Sequence, residues 1–596
     1  MRQFLKFTFA SFLGCIICSV TIALLAFATI ACIIATSGDD TVVLNDKSVL
    51  TVNLSGTITE HTTENPFNDV MGYGAGQQGL NDIVGAIDKA SDAKEISAIY
   101  VEAGLVSADY ASLQEIRQAL QRAKAKKKLI ISYAKEYTQG AYYVCSVADK
   151  VWINPEGMLD LHGLSAQPMF LKDLMAKFGI KMKVVKVGKF KSATEQYTEE
   201  RMSDENRLQV SRYINGIWDT VTGEISAARG IDKAELNRCA DEMAALMPTS
   251  YLLKHKLVDK TLYAEDVKTE LKKLLNIDGD KEIEQVSCST MNRNYPDGRK
   301  SDKKIAVYYC EGSIVRAPEA AAVTGDAGIT SPKMVKDIED LAKDDDVKAV
   351  VIRINSGGGD AFASEEIWHA VKTLAGRKPV VVSMGGMAAS GAYYLSCAAT
   401  HIMAQPTTLT GSIGIFGAFP DMSGLITQKL GVRFDNVKTN AHSDFNMMQT
   451  ARPFNAEEEE MLQQYVNRGY ELFCKRVADG RKMLADSVKN IAEGRVWLGT
   501  DAVKIGLVDG LGGTKEAIAK AAQLAKTKDY ETVTYPISPS WLEQLTETVG
   551  GNGNNLDEQL RATLGTLYEP FVMIRSMERQ SPIQARCQII LGTGRQ

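Results

Sequence analysis

Ser390 stands between a strand-like run and a helix-like run, a place where a serine hydroxyl could act as a nucleophile. The run 380–389 begins with three valines and contains Gly385 and Gly386, and Gly391 then opens an apolar segment. A strand-to-helix turn of this kind can hold a hydroxyl at a rigid bend, with the first N–H groups of the helix directed the same way. Taken alone, the stretch also fits a small-residue turn that only permits close packing.

A glycine-rich loop near Ser390 in the sequence could serve the same chemistry. Asn355-Ser356-Gly357-Gly358-Gly359 follows the β-branched run 347–352. Consecutive glycines let the backbone approach a substrate closely and direct N–H groups at a carbonyl oxygen, as an oxyanion hole for acyl transfer requires. We therefore expect acyl-transfer chemistry at Ser390 and this loop.

A serine nucleophile needs a base, and the sequence offers two kinds. No motif links any of the six histidines to Ser390, although His442 lies in a loop and stays an alternative. The other candidate is Lys191, which a short loop presents after a predicted strand that ends at Gly188. Most lysines are solvated surface charges, and we assign Lys186 and Lys189 to that class.

The chain repeats itself at a spacing of 251 residues. Residues 140–143 and 391–394 are both Gly-Ala-Tyr-Tyr, and Pro155 corresponds to Pro406. Identities spread over about eighty residues at one spacing indicate an internal duplication. Because each copy alternates short β-runs with amphipathic helices, the predicted fold class is α/β.

The two copies differ at the residues that could do chemistry. Gln139 stands in the first copy where Ser390 stands in the second, and Ala103-Gly104-Leu105-Val106-Ser107 stands where the second has its glycine loop. The nucleophile candidate and the glycines therefore occur only in the second copy. Lys191, in contrast, belongs to the first copy.

The N-terminus and the charge balance restrict the partners. No charged residue occurs in 7–38, a run longer than the roughly 20 residues that span a bilayer, so we expect an uncleaved membrane anchor. Basic residues precede it and acidic residues follow it, which places the body across the membrane; cleavage at Ala26-Phe27-Ala28 is the alternative. A net charge of −5 gives no basic face for nucleic acid. The ten cysteines show no zinc or disulfide spacing, and no metal or cofactor is expected.

Composition shifts divide the chain into four parts. Residues 1–38 are a short cytoplasmic tip and the anchor, and 45–300 form the first copy, which carries the lysine. A polar, turn-rich stretch precedes the second copy at 301–540, which carries the serine. Residues 541–596 form a C-terminal tail, to which we assign no function.

The motifs together resemble the long, membrane-bound type of signal peptide peptidase A, a group of Ser/Lys proteases in peptidase family S49. The resemblance extends from the anchor to about residue 540 and rests on four motifs: VGKFKSATE, RINSGGG, SMGGMAASGAYY and TGSIGIFG. It implies a spiral ββα unit in each copy, as in Clp protease subunits and crotonases. The fold expected is thus a tandem α/β duplication of this unit, preceded by one transmembrane helix.

The resemblance also implies a role for each site residue. The catalytic serine would be Ser390, the general-base lysine Lys191, and the serine that hydrogen-bonds the lysine Ser412. The oxyanion hole would use the backbone of Gly358, Gly359 and Gly391. The family commonly has proline where this chain has Gly357, which predicts a less stiff loop.

Burial of Lys191 at the junction of the two copies, away from carboxylates, would lower its pKa from about 10.4 toward roughly 7–8, where it could act as a base. The resemblance further implies apolar peptide substrates such as cleaved signal peptides. It implies a homo-oligomer, a tetramer, in the bacterial inner membrane, with a single pass and the catalytic body on the periplasmic side.

Three alternatives remain at this point. A Clp-like Ser/His/Asp peptidase would need a histidine, with His442 the candidate, and would not need Lys191. A crotonase-like enzyme would use the glycine loop to hold a thioester enolate. A catalytically silent membrane scaffold would need neither Ser390 nor the glycines.

Overall fold

The computed structural model describes residues 44–62, 76–295, 301–317, 328–536 and 583–587, and single positions between 6 and 25. In the described first copy, eight strands occur: β1 (Ser48–Thr59), β2 (Gln77–Gly79), β3 (Ile96–Ser107), β4 (Leu129–Tyr137), β5 (Lys150–Leu159), β6 (Lys181–Lys186), β7 (Lys260–Thr261) and β8 (Gln285–Ser287). Its α-helices are α1 (Leu80–Asp92), α2 (Tyr110–Ala125), α3 (Gln139–Cys145), α4 (Lys172–Lys177), α5 (Glu195–Thr198), α6 (Asp204–Arg229), α7 (Lys233–Asp241), α8 (Thr249–Lys254), α9 (Ala264–Leu275) and α10 (Cys288–Asn294).

The later part of the chain repeats this order. Its described strands are β9 (Lys304–Glu311), β10 (Ile314–Val315), β11 (Ile329–Thr330), β12 (Val347–Ser356), β13 (Gly358–Asp360), β14 (Val380–Ala389), β15 (His401–Ala404), β16 (Leu409–Gly411), β17 (Phe416–Asp421), β18 (Val496–Leu498), β19 (Gly510–Leu511), β20 (Glu531–Tyr535) and β21 (Ile583–Arg586). Its α-helices are α11 (Ser331–Lys343), α12 (Ala361–Ala375), α13 (Gly391–Ser396), α14 (Ala456–Arg481), α15 (Ala485–Ile491), α16 (Gly499–Lys504) and α17 (Thr514–Leu524).

Each copy is built on a largely parallel sheet whose β-branched strands are buried. The first sheet has the order β2-β1-β3-β4-β5-β7, and the second has β18-β16-β14-β12-β9-β20. The succession β3-α2-β4-α3 in the first copy returns in the second as β12-α12-β14-α13, with the short strand β13 added between β12 and α12. Asp109 and Asp360 cap the corresponding helices α2 and α12, each accepting an N–H at 2.8 Å. The chain is therefore an α/β tandem repeat, as the 251-residue spacing predicts.

A third sheet joins the two copies. Its order is β11-β10-β13-β21-β17-β6, and β6 of the first copy runs antiparallel to β17 of the second. A buried ion cluster adds to the contact, since Arg353 Nε donates to Glu60 Oε2 at 2.7 Å and its guanidinium also contacts Glu115. The loop that follows β6 is thereby held against the second copy.

Two predictions fall largely outside the described residues. Among the residues described, the structure contains no helix with the length and apolar character that a membrane crossing requires. Residues 7–38, where the anchor is predicted, are described only at scattered positions. Of the predicted tail 541–596, only 583–587 are described, and Ile583–Arg586 form strand β21 of the third sheet.

Candidate active site

Ser390 occupies a strained bend between β14 and α13. Its φ of 57° and ψ of −113° lie in a region that residues with a side chain rarely adopt. The bend is held by hydrogen bonds on both sides, because Ser390 N donates to Gly411 O at 2.8 Å and Tyr394 N donates to Ser390 O at 2.8 Å. The hydroxyl therefore has a fixed place at the start of α13.

Lys191 is brought to this bend by a loop that packs tightly against the turn at 493–494. Phe190 N donates to Glu493 O at 3.0 Å. A Cβ on Gly188, whose φ is 92°, would lie 2.4 Å from the Glu493 backbone, and a Cβ on Gly494 would lie 2.6 Å from Lys191 Cβ. Glycine is thus required on both sides of the contact.

The lysine amine meets two serines in the second copy. Lys191 Nζ donates to Ser390 Oγ at 2.7 Å, and it lies 3.1 Å from both Ser412 Oγ and Ser412 O. Ser412 Oγ donates to Gly494 O at 3.2 Å. The three residues predicted from the motifs therefore form one hydrogen-bonded group, although Lys191 and Ser390 are 199 positions apart.

Burial controls the charge of the Lys191 amine. Burial lowers the pKa of Lys191 to about 8, while the neighbouring Cys587 thiol opposes the shift. No carboxylate of the described residues contributes to it. A lysine with this pKa is about one-tenth unprotonated at pH 7, which gives a usable population of free amine.

The three predicted oxyanion glycines also come together. Gly358 has a φ of 92°, and a Cβ there would lie 2.5 Å from Gly391 N. A Cβ on Gly391 would lie 3.1 Å from Gly359 N. Gly391 opens α13, where the first backbone N–H groups have no partner within the helix. The backbones of this loop and of the helix therefore converge beside Ser390.

Sequence reasoning did not identify the residues that support the lysine loop. Gln209 of α6 donates to Phe190 O at 3.1 Å and to Ser192 Oγ at 2.9 Å. Its Oε1 also accepts Val496 N at 3.2 Å from the second copy. Glu195 accepts Asn206 Nδ2 at 2.8 Å. In the sequence, Gln209 and Glu195 are marked only as polar residues at positions where a buried side chain would be expected.

The histidine alternative finds no support in the geometry. In the described part of the chain, the Ser390 hydroxyl bonds Lys191 and Gly414 O. His442 instead faces two carboxylates, with Nδ1 3.4 Å from Glu458 and Nε2 3.6 Å from Glu457.

One cluster in the described residues has metal-ligand chemistry. The ligand atoms of Glu235, Cys239 and His255 lie within 4.8 Å of one another. His255 Nδ1 already contacts Glu235 Oε1 at 2.5 Å, so two of the three groups satisfy each other. The cluster shares no residue with the group around Ser390.

Comparisons with known proteins agree with the repeat and with the fold. The profile of peptidase family S49 matches residues 122–278 and again 372–528, and a Clp protease profile matches 328–410. The two S49 matches start 250 residues apart, in line with the internal duplication.

Three relatives span most of the chain. Protease 4 of Salmonella typhi is 34% identical over 522 residues, covering 85% of this chain and 83% of the relative. Protease 4 of Haemophilus influenzae is 31% identical, covering 85% and 84%. The chloroplastic serine protease SPPA of Arabidopsis thaliana is 30% identical, covering 88% and 76%. The chain therefore belongs to peptidase family S49, and it is a serine peptidase.

Proposed function

We propose that the chain cleaves peptide bonds with Ser390 as nucleophile and Lys191 as general base. The observation that carries this assignment is the 2.7 Å hydrogen bond from Lys191 Nζ to Ser390 Oγ. The amine is buried, its pKa falls to about 8, and no described carboxylate holds it in the charged form. A base must be within hydrogen-bond reach of the proton that it takes, and this one is.

In the proposed reaction, neutral Lys191 takes the Ser390 proton while Oγ attacks the peptide carbonyl carbon. Ser412 is a positioning residue, because its hydroxyl and carbonyl hold the amine in line. Backbone N–H groups of Gly358, Gly359 and Gly391 stabilise the oxyanion that forms. The lysine then protonates the leaving amine, and water hydrolyses the acyl-enzyme with the same base.

The proposed substrates are apolar peptides such as signal peptides already released from secreted proteins. Two features of the sequence support this: the motif resemblance and the uncharged run 7–38, which would hold the site at a membrane surface. We further propose that the body lies on the periplasmic side of a bacterial inner membrane and assembles as a homotetramer. Glycerol-gradient sedimentation of the detergent-solubilised chain would test the assembly.

Hydrolysis of a short apolar fluorogenic peptide tests the catalytic assignment. Ser390→Ala and Lys191→Ala should each lower kcat by about 10²–10⁴, the range expected for loss of a nucleophile or base. Wild-type kcat/KM should rise about tenfold per pH unit below pH 8 and level off above it, because only the neutral amine accepts a proton.

His442→Ala is the control for the Ser/His/Asp alternative and should stay within twofold of wild type. An active Lys191→Ala variant, or an inactive but folded His442→Ala variant, would overturn the dyad. A folded wild-type chain that cleaves no peptide would favour the scaffold.

A further inference from the structure

Gly385 and Gly386, which precede Ser390 on β14, lie against two carboxylates of the first copy. A Cβ on Gly385 would lie 2.3 Å from Glu60 Oε1, and a Cβ on Gly386 would lie 2.3 Å from Asp109 Cγ. Neither glycine has a positive φ, so the close approach and not the backbone conformation requires glycine here. The glycine pair therefore admits first-copy carboxylates to the strand that leads to the candidate nucleophile.

Asp109 bonds the residue at which the glycine loop begins. Its Oδ2 accepts Asn355 Nδ2 at 3.1 Å, although the two residues are 246 positions apart. Asn355 Oδ1 in turn accepts Met387 N at 3.0 Å. Asn355 O accepts Gly312 N at 3.1 Å. One first-copy carboxylate thus holds an amide that ties the end of β12, where the glycine loop starts, to the strand that leads to Ser390.

Helix α2, which Asp109 caps, is itself held by the second copy further along its length. Glu115 Oε2 accepts Thr514 N at 3.0 Å. Gln118 Nε2 donates to Gln405 Oε1 at 3.0 Å. These contacts fix the helix against the second copy, so the carboxylate at its N-terminus has a fixed place beside the glycine loop. A side chain on a helix held in this way positions its partner more precisely than one on a free loop.

The chain between Asn355 and the proposed oxyanion donors is short. Gly358 and Gly359 follow Asn355 by three and four residues, and Gly357 gives the backbone between them more freedom than another residue would. Donors stabilise a transition state when they already point to the place where negative charge develops. The orientation of Asn355 therefore bears on the rate of the reaction as well as on the stability of the fold.

We propose that Asp109 is a positioning residue for the oxyanion hole and acts through Asn355. Its carboxylate holds the Asn355 amide, and the amide sets where the glycine loop leaves β12. The proposal rests on the proposed function, which assigns the oxyanion to this loop. Loss of the Asp109–Asn355 hydrogen bond weakens an interaction made only in the transition state, so it lowers kcat and leaves KM unchanged.

Exchanging the two side chains tests this role. Asp109→Asn can still accept Ser112 N, which Asp109 Oδ1 accepts at 2.8 Å, but its NH2 group then faces the Asn355 NH2 group. With the fluorogenic peptide, kcat should fall at least tenfold and KM should stay within twofold. Adding Asn355→Asp restores a donor and an acceptor in reversed order, keeps an acceptor for Met387 N and preserves the total charge. The doubly substituted chain should recover a kcat within threefold of wild type.

Two further variants complete the comparison. Asn355→Asp alone brings two carboxylates together without a donor between them and should also lose at least tenfold in kcat. Asp149→Asn is the matched control, because Asp149 accepts Ile130 N at 2.9 Å and pairs with Lys124, both in the first copy. It should stay within twofold of wild type. A kcat that stays low in the doubly substituted chain, or an Asp109→Asn kcat within twofold of wild type, would overturn the positioning role.

A peptide aldehyde separates this proposal from the catalytic one. Ser390 Oγ would add to the aldehyde carbon, and the oxygen of the adduct would occupy the oxyanion hole, whereas the corresponding peptide alcohol forms no adduct. Asp109→Asn should weaken inhibition by the aldehyde at least tenfold and leave inhibition by the alcohol unchanged. An aldehyde that inhibits both chains equally, but more strongly than the alcohol, would overturn the positioning role alone. An aldehyde no better than the alcohol in the wild type would overturn the catalytic assignment, and the positioning role with it.

A substitution on the other side of the contact covers the case in which Asp109→Asn does not fold, as judged by circular dichroism. Gly386→Ala places a Cβ against the Asp109 carboxyl group and displaces it from Asn355 without altering either residue. It should lower kcat at least fivefold with KM within twofold. Gly376→Ala is the matched control, since the nearest atom to its Cβ would lie 3.4 Å away, and its kcat should not change. A Gly386→Ala kcat equal to that of wild type would contradict the proposal.

Discussion

The two copies share a strand-to-helix turn and complete it with different side chains. At Ser390 the hydroxyl receives Lys191 Nζ at 2.7 Å from the other copy. At Gln139 the amide closes the turn within its own copy, where Oε1 accepts His162 N at 3.1 Å and Gly163 N at 2.9 Å. Its Nε2 donates to Tyr110 Oη at 2.9 Å.

The same strand-to-helix turn therefore has a structural role in the first copy and holds the candidate nucleophile in the second. In the first copy the turn is closed by a satisfied polar side chain, as a buried structural site requires. In the second copy the same turn is strained and completed by a buried amine from outside. The first copy thus contributes to the site through its lysine loop and not through its own turn.

The largest difference in activity between matched substitutions in the two copies is expected at the glycine loop. Gly358→Ala should lower kcat by about 10²–10³, because an added Cβ would collide with Gly391 N and displace an oxyanion donor. Ser107→Ala, at the corresponding place in the first copy, should leave kcat within twofold. Peptide hydrolysis by both variants measures the difference, and a Gly358→Ala kcat near wild type would remove this loop from the oxyanion hole.

The buried amine should lower the stability of the folded chain. The folded pKa of Lys191 is about 8, against 10.5 for the free side chain. The unfolded chain therefore binds more protons between these values, so stability rises with pH across this window and the cost is largest below pH 8. Lys191→Met should raise the free energy of unfolding at pH 7 by about 3 kcal/mol.

Urea unfolding at pH 7 and pH 10 measures this effect, and the gain should shrink at the higher pH. Lys189→Met is the matched control, because Lys189 is exposed and lies 3.8 Å from Glu493. Its effect should stay within about 0.5 kcal/mol. A Lys191→Met variant less stable than wild type at pH 7 would show that the amine contributes more through its hydrogen bonds than burial costs.

Gln139 should matter for stability and not for rate. Gln139→Ala leaves the partly buried N–H groups of His162 and Gly163 without their side-chain acceptor, which should cost about 1–2 kcal/mol of unfolding free energy. Peptide hydrolysis should remain within twofold of wild type. A tenfold fall in kcat, with the fold intact, would mean that the first turn takes part in the reaction.

The smallest expected effect concerns the long helices that the copies share. Ser203 caps α6 by accepting Asn206 N at 3.1 Å, and Asn455 caps α14 by accepting Glu458 N at 2.9 Å. Ser203→Ala and Asn455→Ala should each lower the unfolding free energy by about 1 kcal/mol. Thermal unfolding measures both. Costs that differ by more than about 1 kcal/mol would show that the scaffold energetics of the copies have diverged.

Much of the architecture could be predicted from local pattern. β-Branched runs such as 347–352 gave the central strands, and the repeated Gly-Ala-Tyr-Tyr located the duplication. The placement of Ser390 at a bend followed from the glycines and from the apolar helix after it. These features depend on residues that are close together in the chain, so they can be predicted from one sequence.

The supports of the site could not be predicted in this way. Gln209 contacts Val496 across 287 positions, and nothing in the spacing of polar residues reveals such a pair. The segment 583–587 does alternate apolar and polar residues, as a strand with one buried face does, but five residues cannot specify their partners. Pairing through backbone groups leaves no signature in side chains.

The separation of Lys191 and Ser390 between the copies has a consequence during synthesis. When a ribosome has translated only the first 300 residues, the loop that carries Lys191 has been made but the turn that carries Ser390 has not. Strand β6 then still lacks its partner β17. Under the proposed assignment, the growing chain has no complete catalytic dyad, and cannot cleave other exported polypeptides, until the second copy has been translated and has folded. Proteolysis is thereby delayed until most of the polypeptide has been made.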